Sequence, residues 1–268
     1  IVVHKIIEGD KAIRLKERSN LKIMGKRDLQ LGDKIIFEGV LKEPYENSNP
    51  KLYNYKLNLL SNKIHTTISI RESGILKVEK DNRPLKYVIR SRFEEKVNFI
   101  FNKYLNEDNS KLIIGMILGE YSYLEEEDIE KYRELGLAHI LAVSGLHIGI
   151  IAGFIIFTLS HLGIKRNIAI IMTLVTIWFY AFLIGFPPSI LRANIMYSLA
   201  GFAFLMKEPY DSINSLFFSL FILLIVNPFW VFNIAFQLSF TASFSMLYFM
   251  PKIRDAFYLY KGKILYCL

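Results

Sequence analysis

Cysteine is almost missing from this chain: Cys267 stands alone. An internal disulfide and a multi-thiolate metal site are therefore excluded. Metal-binding histidine patterns are missing as well. His4, His65, His139, His147 and His161 form no H-x-H or H-E-x-x-H pair, so neither a metal centre nor a cofactor is expected. The chain opens at Ile1 on a polar stretch without a signal-peptide pattern, and the expectation is a piece of a longer protein. Charge is the most telling shortage. Residues 1–136 carry 25 Lys/Arg and 22 Asp/Glu, whereas residues 137–251 carry only Lys165, Arg166, Arg192, Lys207, Glu208 and Asp211. Six charges in 115 residues exclude a uniform water-soluble domain, a disordered chain and a disulfide scaffold.

What is present divides the 268 residues in two. Residues 1–82 hold short runs of Ile, Val, Leu and Tyr between turn residues, with strands expected over 11–17, 20–25, 34–43, 53–60, 63–71 and 74–79. That pattern predicts an all-β small barrel or sandwich of OB-like type. Phe37, Tyr45, Tyr53 and Tyr55 lie among lysines such as Lys56. Aromatic faces with positive charge suit single-stranded nucleic acid, although core aromatics give the same pattern. Residues 83–136 are expected to be linking helices. Residues 85–106 form an amphipathic helix, packed on its neighbours or lying on a bilayer, and Leu112–Leu118 is too short an apolar run to cross one.

From Leu137 onward the pattern is that of a polytopic membrane domain, 137–268, with about five helices near 140–162, 168–186, 190–206, 212–227 and 230–250. Lys165-Arg166, Lys207 and the Lys252–Lys263 cluster fall on one side if the helices alternate. The positive-inside rule then puts residues 1–136 outside the cytoplasm.

Three polar clusters stand out in this uncharged half. In the first, Gly145, Gly149 and Gly153 make a ridge for close helix approach. Ser144 and His147 lie together on the opposite face of a helix begun near residue 140. They are either functional groups in the membrane or ordinary hydrogen-bonding groups, with Ser144 bonded back to the carbonyl of Ile140. In the second, Pro187-Pro188 end one helix, Ser189 caps the next, and Arg192 sits in its first turn, where an anion would be held by the free N–H groups and the guanidinium together. Snorkelling to headgroups is the alternative for this arginine. In the third, Gln237, Thr241 and Ser245 form a polar stripe beside Ser239 and Ser243, lining a path or bonding between helices.

Together these stretches resemble the ComEC-type competence proteins. Gly136 to Gly149, with Ser144-Gly145-Leu146-His147 at its centre, is similar to the family's signature. Asn49-Pro50, Tyr53-Asn54-Tyr55-Lys56 and Leu59-Leu60 resemble the motif of its N-terminal OB-like domain. Pro188-Ser189, Arg192-Ala193 and Met196 resemble its second membrane motif, and Phe236-Gln237-Leu238-Ser239-Phe240 with Ala242 its third. The resemblance implies a membrane channel component that moves single-stranded DNA across the cytoplasmic membrane during natural transformation, not an enzyme. It implies single-stranded DNA, the lipid bilayer, other competence proteins and a second copy of the chain as partners. It makes Ser144, Gly145, His147, Gly149, Pro188, Arg192, Gln237 and Ser239 the channel motif positions, while the aromatic and basic pattern makes Phe37, Tyr53, Tyr55 and Lys56 the candidate DNA-contacting ones. The nuclease-like C-terminal domain of many members does not occur in this chain. An alternative of another class is an intramembrane serine hydrolase using Ser144 and His147, since residues three apart on a helix can touch. Ala142 and Leu146 stand where a G-x-S-x-G elbow would have glycines.

Overall fold

A computed structural model describes residues 2–8, 11–24, 33–45, 54–79, 85–119, 124, 126–137 and 143–265. The chain forms two compact units, one of residues 1–97 with 228–233, the other of 98–227 with 234–268.

The first unit is strand-rich. Its strands are β1 (Val2–Glu8), β2 (Lys11–Met24), β3 (Lys34–Phe37), β4 (Val40–Lys42), β5 (Ile64–Arg71) and β6 (Ile75–Glu79). One sheet has the order β1-β2-β5-β4, and β3 pairs with β6 in a second ladder. β2 and β5 run parallel, with Leu21 beside Ile68 and Ile23 beside Ile70, while the other pairings are antiparallel. Alternation along β5 buries Ile68 and Ile70. With Ile75 they make a small core that Leu21, Ile23, Phe37 and Val78 cover. Gly39 lets β5 come close, because a Cβ there would sit 2.7 Å from Ile70 Cγ2. Helix α1 (Tyr55–Ser61) occupies most of the segment expected as a strand over 53–60. The deciding group is Asn54, whose carboxamide oxygen accepts the N–H of Leu57 at 3.1 Å and so caps the first turn. α1 packs on β5 and on a 3₁₀ turn, Pro228–Phe232, and Asn233 Nδ2 donates to Ser61 Oγ at 3.2 Å. The expected pair of strands over 11–17 and 20–25 is one strand, the segment 34–43 breaks at Glu38-Gly39, and β1 is an additional strand.

The second unit is helical. The linking helices are α2 (Leu85–Tyr104), whose start belongs to the first unit, α3 (Glu107–Leu118) and α4 (Glu126–Glu134). Then come α5 (Gly145–His161), α6 (Arg166–Ile184), α7 (Pro188–Met206), α8 (Ser212–Val226) and α9 (Ile234–Leu265). Two of these, α6 and α7, are long and apolar enough to cross a membrane, and α5 and α8 are shorter apolar helices. α5 packs on α6 and α7, α7 on α6 and α8, and α9 on α7 and α8. Tyr180 Oη donates to the Ile117 carbonyl at 2.8 Å and ties α3 to α6. α3 ends at Gly119, with φ +70°, where a Cβ would meet Val143 Cγ2 at 2.7 Å.

This unit has an aliphatic core at Val143, Ile148, Ile177 and Ile190, and departs from a water-soluble bundle in what it exposes. The stripe of α6 that faces its neighbours is Ala169, Thr173, Ile177 and Ala181, while Ile171, Met172, Val175 and Phe179 are exposed. α8 buries Ser215, Leu216, Ser219 and Leu223 and exposes Phe217, Phe218 and Phe221. α7 buries Ile190, Arg192, Ala193, Asn194 and Gly201 and exposes Phe202 and Phe204. Small and polar residues at helix contacts with bulky apolar residues outside are what packing in lipid selects, because lipid solvates Phe and Ile and cannot solvate an amide or a hydroxyl.

Candidate functional site

The first motif is a helix start rather than a helix interior. Ser144 is extended, with φ −117° and ψ 169°, and α5 begins at Gly145. The expected start near residue 140 is thereby corrected; residues 138–142, His139 among them, lie outside the described residues. The Ser144 N–H donates to His147 Nδ1 at 3.1 Å, and Ser144 Oγ lies 3.0 Å from the same nitrogen. The imidazole thus does what a glutamate does at the third position of a capping box: it accepts the N–H of the capping residue. With Nδ1 accepting, the neutral ring carries its proton on Nε2. Ser144 precedes the helix rather than lying within it, and Ile140, the expected acceptor of its hydroxyl, lies outside the described residues.

The glycine ridge meets α7 over two of its three positions. A Cβ on Gly145 would lie 2.9 Å from Arg192 Nη2 and 3.4 Å from Ala193 Cβ, one on Gly149 would lie 2.9 Å from Tyr197 Oη, and one on Gly153 would meet nothing within 4 Å. The second motif therefore docks onto the first. α7 is capped by Pro187 and has Pro188 as its first residue, not Ser189 as the cap. Proline is suited to that position because the N–H it lacks would have no partner there anyway. Ser189 Oγ is freed to donate to the Val143 carbonyl at 2.9 Å. Arg192 lies two residues further in than expected, and only 9% of it is exposed. Its guanidinium sits over the Phe240 ring at 5.7 Å. Among the described residues its Nε has no hydrogen-bond partner.

The third motif contributes through its aromatics. Phe236 and Phe240 are buried, their rings tilted at 46° with centroids 4.6 Å apart, whereas Gln237 is exposed and Ser239 half-buried. The hydroxyls of the expected polar stripe turn back on their own helix: Thr241 Oγ1 donates to the Gln237 carbonyl and Ser243 Oγ to that of Ser239. Ser144, Gly145, His147, Gly149, Pro188 and Arg192 thus gather where α5 and α7 begin, with Phe240 against the arginine. Asn194 also belongs to this region. It is fully buried, and its Nδ2 donates to the Ile177 carbonyl at 3.0 Å. An asparagine two positions after the arginine in an apolar run was the available signal.

In the strand-rich unit the candidates are dispersed. Phe37 packs against the Ile68, Ile70 and Ile75 core. Tyr55 is exposed on α1, and its hydroxyl accepts from Asn20 Nδ2 at 3.2 Å. Lys56 lies 3.9 Å from Glu43. Tyr53, Asn49 and Pro50 lie outside the described residues. No group of three or more metal-ligating side chains occurs among the described residues.

The gathering of these motifs agrees with what comparison finds. The family model described as "Competence protein" matches residues 116–267. This chain belongs to the ComEC-type competence protein family. It is 32% identical over 211 residues to ComE operon protein 3 of Bacillus subtilis, covering 78% of this chain and 26% of that protein. It is 29% identical over 138 residues to Recombination protein 2 of Haemophilus influenzae, covering 48% of this chain and 17% of that one. The chain thus spans about a quarter or less of these two relatives' length. No solved structure matches it. Membership of this family implies a membrane protein, in keeping with the outward-facing apolar helices.

Proposed function

We propose that this chain is part of a channel that carries a single DNA strand across the cytoplasmic membrane during competence. In this reading α5 to α9 are the multi-pass membrane body, and the strand-rich unit, read as OB-like, lies with the rest of residues 1–136 on the extracytoplasmic side. Lys165-Arg166, Lys207 and the Lys252–Lys263 cluster then face the cytoplasm. Net basic charge over residues 1–82 and the exposed rings of Tyr45 and Tyr55 would collect the strand by phosphate contact and stacking. The observation that carries the reading is the meeting of the Ser144–His147 cap, Arg192 and Phe240 at one end of an uncharged bundle. Polar groups kept together in an apolar body mark the route of a polar cargo. The test is transformation frequency in a strain whose only copy carries His147→Ala or Arg192→Ala, with membrane level measured alongside. The expected result is a loss of transformants at unchanged membrane level. Transformation equal to the parent in both variants would remove the channel role.

One observation favours a second reading, serine hydrolysis, namely the 3.0 Å approach of Ser144 Oγ to His147 Nδ1. The same nitrogen also accepts the Ser144 N–H, which is the signature of a cap. Ser144→Asn separates the two, since asparagine caps a helix as well as serine does and offers no nucleophile. Retained transformation with Ser144→Asn supports the cap. Labelling of the parent by a serine-reactive phosphonate, lost in Ser144→Asn, supports the hydrolase.

A further inference from the structure

Arg192 is held in a place that a cation alone should avoid. It is nine-tenths buried, its Nε has no hydrogen-bond partner among the described residues, and its ring neighbour Phe240 offers only a π face. A buried cation without an anion is costly in an apolar body. The surroundings add positive potential. α5 begins at Gly145, and the ideal Cβ position of that residue is 2.9 Å from Arg192 Nη2, so the guanidinium lies against the first turn of a 17-residue helix. The His147 N–H of that turn is taken up by the Ser144 carbonyl at 3.1 Å, and the N–H groups before it point out of the helix end, where the dipole is positive. The start of α7 lies beside it, joined by the bond from Ser189 Oγ to the Val143 carbonyl. Two helix N-termini and a guanidinium thus converge, and no carboxylate pairs with Arg192 among the described residues.

We propose that the start of α5 and the Arg192 guanidinium together form a binding site for one phosphodiester group of a nucleic-acid strand. The site differs from the one expected at the start of α7, because Pro188 removes a donor there and the arginine reaches across to its neighbour. A phosphodiester fits because it carries a single negative charge and two free oxygens, one for the guanidinium fork and one for the helix N–H groups. The absence of a side chain at Gly145 is what lets both reach the same point. This inference rests on the channel reading for the identity of the cargo.

The test uses the full chain in a maltoside detergent, which contains no phosphate. Binding of a short oligothymidylate is measured against salt concentration, in parallel with the same oligomer carrying an uncharged methylphosphonate backbone. Arg192→Gln is expected to weaken binding of the phosphodiester strand by about tenfold. It is expected to lower the slope of log affinity on log salt by about 0.7, and to leave the methylphosphonate strand unaffected. Gly145→Ala is the second variant. It keeps the charge, and its new Cβ displaces Nη2, so the same loss is expected. Thermal unfolding of each variant shows that it is folded. Parental affinity and slope in both variants, with DNA still bound, would overturn the site and leave the channel reading intact. No DNA binding by the parent would instead overturn the channel reading and this inference with it. Arg192-dependent binding seen only with phosphatidylglycerol micelles would overturn the nucleic-acid assignment in favour of a lipid headgroup.

Discussion

The strand-rich unit and the helical unit differ in what they turn outward more than in what they bury, since both hide isoleucines and serines. The first hides Ile68, Ile70 and Ile75 and turns Arg18, Lys22 and Lys77 outward. The second hides Ile148, Ile177 and Ile190 together with Ser215, Ser219, Asn194 and Arg192, and turns Phe154, Phe179 and Phe221 outward. The division of the chain at residue 97 and the collapse of charge after residue 136 are thus separate events, because the charged helices in between belong to the helical unit. The lesson is that burial identifies a core only once the surrounding solvent is known.

The sharpest way to break this contrast is to put a carboxylate on each outer surface. Val175 and Leu76 are similarly exposed, at 65% and 62%. Val175→Asp is expected to cost about 3 kcal/mol in bilayer insertion and to reduce the membrane-integrated fraction. Leu76→Asp is expected to cost under about 1 kcal/mol of stability. Carbonate extraction of membranes checks the first and thermal unfolding the second. Equal tolerance would mean that α6 does not face lipid.

A smaller effect is expected at two glycines with the same backbone. Gly119 and Gly136 both have φ +70°, but only Gly119 has a neighbour, Val143 Cγ2, within 4 Å of a new Cβ. Gly136→Ala is expected to cost about 1 kcal/mol from left-handed strain, and Gly119→Ala about 1–2 kcal/mol more from overpacking. Unfolding in detergent measures the difference. Equal losses would show that the close approach of α3 to the residue before Ser144 contributes nothing.

Smaller again is the glycine ridge. Gly153→Ala is expected to gain up to about 1 kcal/mol from helix propensity, because its surroundings are open. At Gly149 the gain is expected to vanish, because the Tyr197 hydroxyl must move. Melting temperatures of the two variants would separate packing from propensity.

The smallest effect belongs to the water-facing unit. Lys77 holds the Glu79 carboxyl below the usual carboxylate range through a 2.7 Å hydrogen bond, with charge attraction from Lys34 adding to it. A lowered folded-state value means that this contribution is present above the unfolded carboxylate's titration and is lost as pH falls through the folded one. Lys77→Met should move the Glu79 titration upward, as followed by NMR, with no measurable change in melting, because the pair is fully exposed.

The helical half was the more legible of the two. Uncharged runs, the double proline before α7 and glycines after α3 and α6 are local signals, and α6, α7 and α8 fall within a few residues of their expected places. α9 runs on to Leu265, well past the end expected at residue 250, and α5 starts late, because nothing in His139–Val143 announces that Ser144 and His147 would close a cap between themselves. The strand half depends on partners far along the chain. The parallel pairing of β2 with β5 joins Leu21 to Ile68, and such pairing leaves no local trace. α1 was missed because Tyr53-Asn54-Tyr55 reads as β-prone, while the capping role of Asn54 outweighs that propensity. At the site, the motif residues were legible as a set but not their assignments. Gln237 attracted notice for its polarity, yet Phe240 is the residue of that motif that meets Arg192. Which side of a helix faces a neighbour is decided by packing, and several polar and aromatic positions on α9 fit the same period.

The short 3₁₀ turn after α8 changes how the strand-rich unit can be handled. The polypeptide leaves that unit at Val97, comes back at Pro228 and departs again at Asn233, with Asn233 fastened to Ser61. It is therefore threaded rather than appended. A cassette cut from the front of the gene would lose a structural piece encoded more than a hundred codons downstream, and a graft onto another scaffold would need two splice points instead of one.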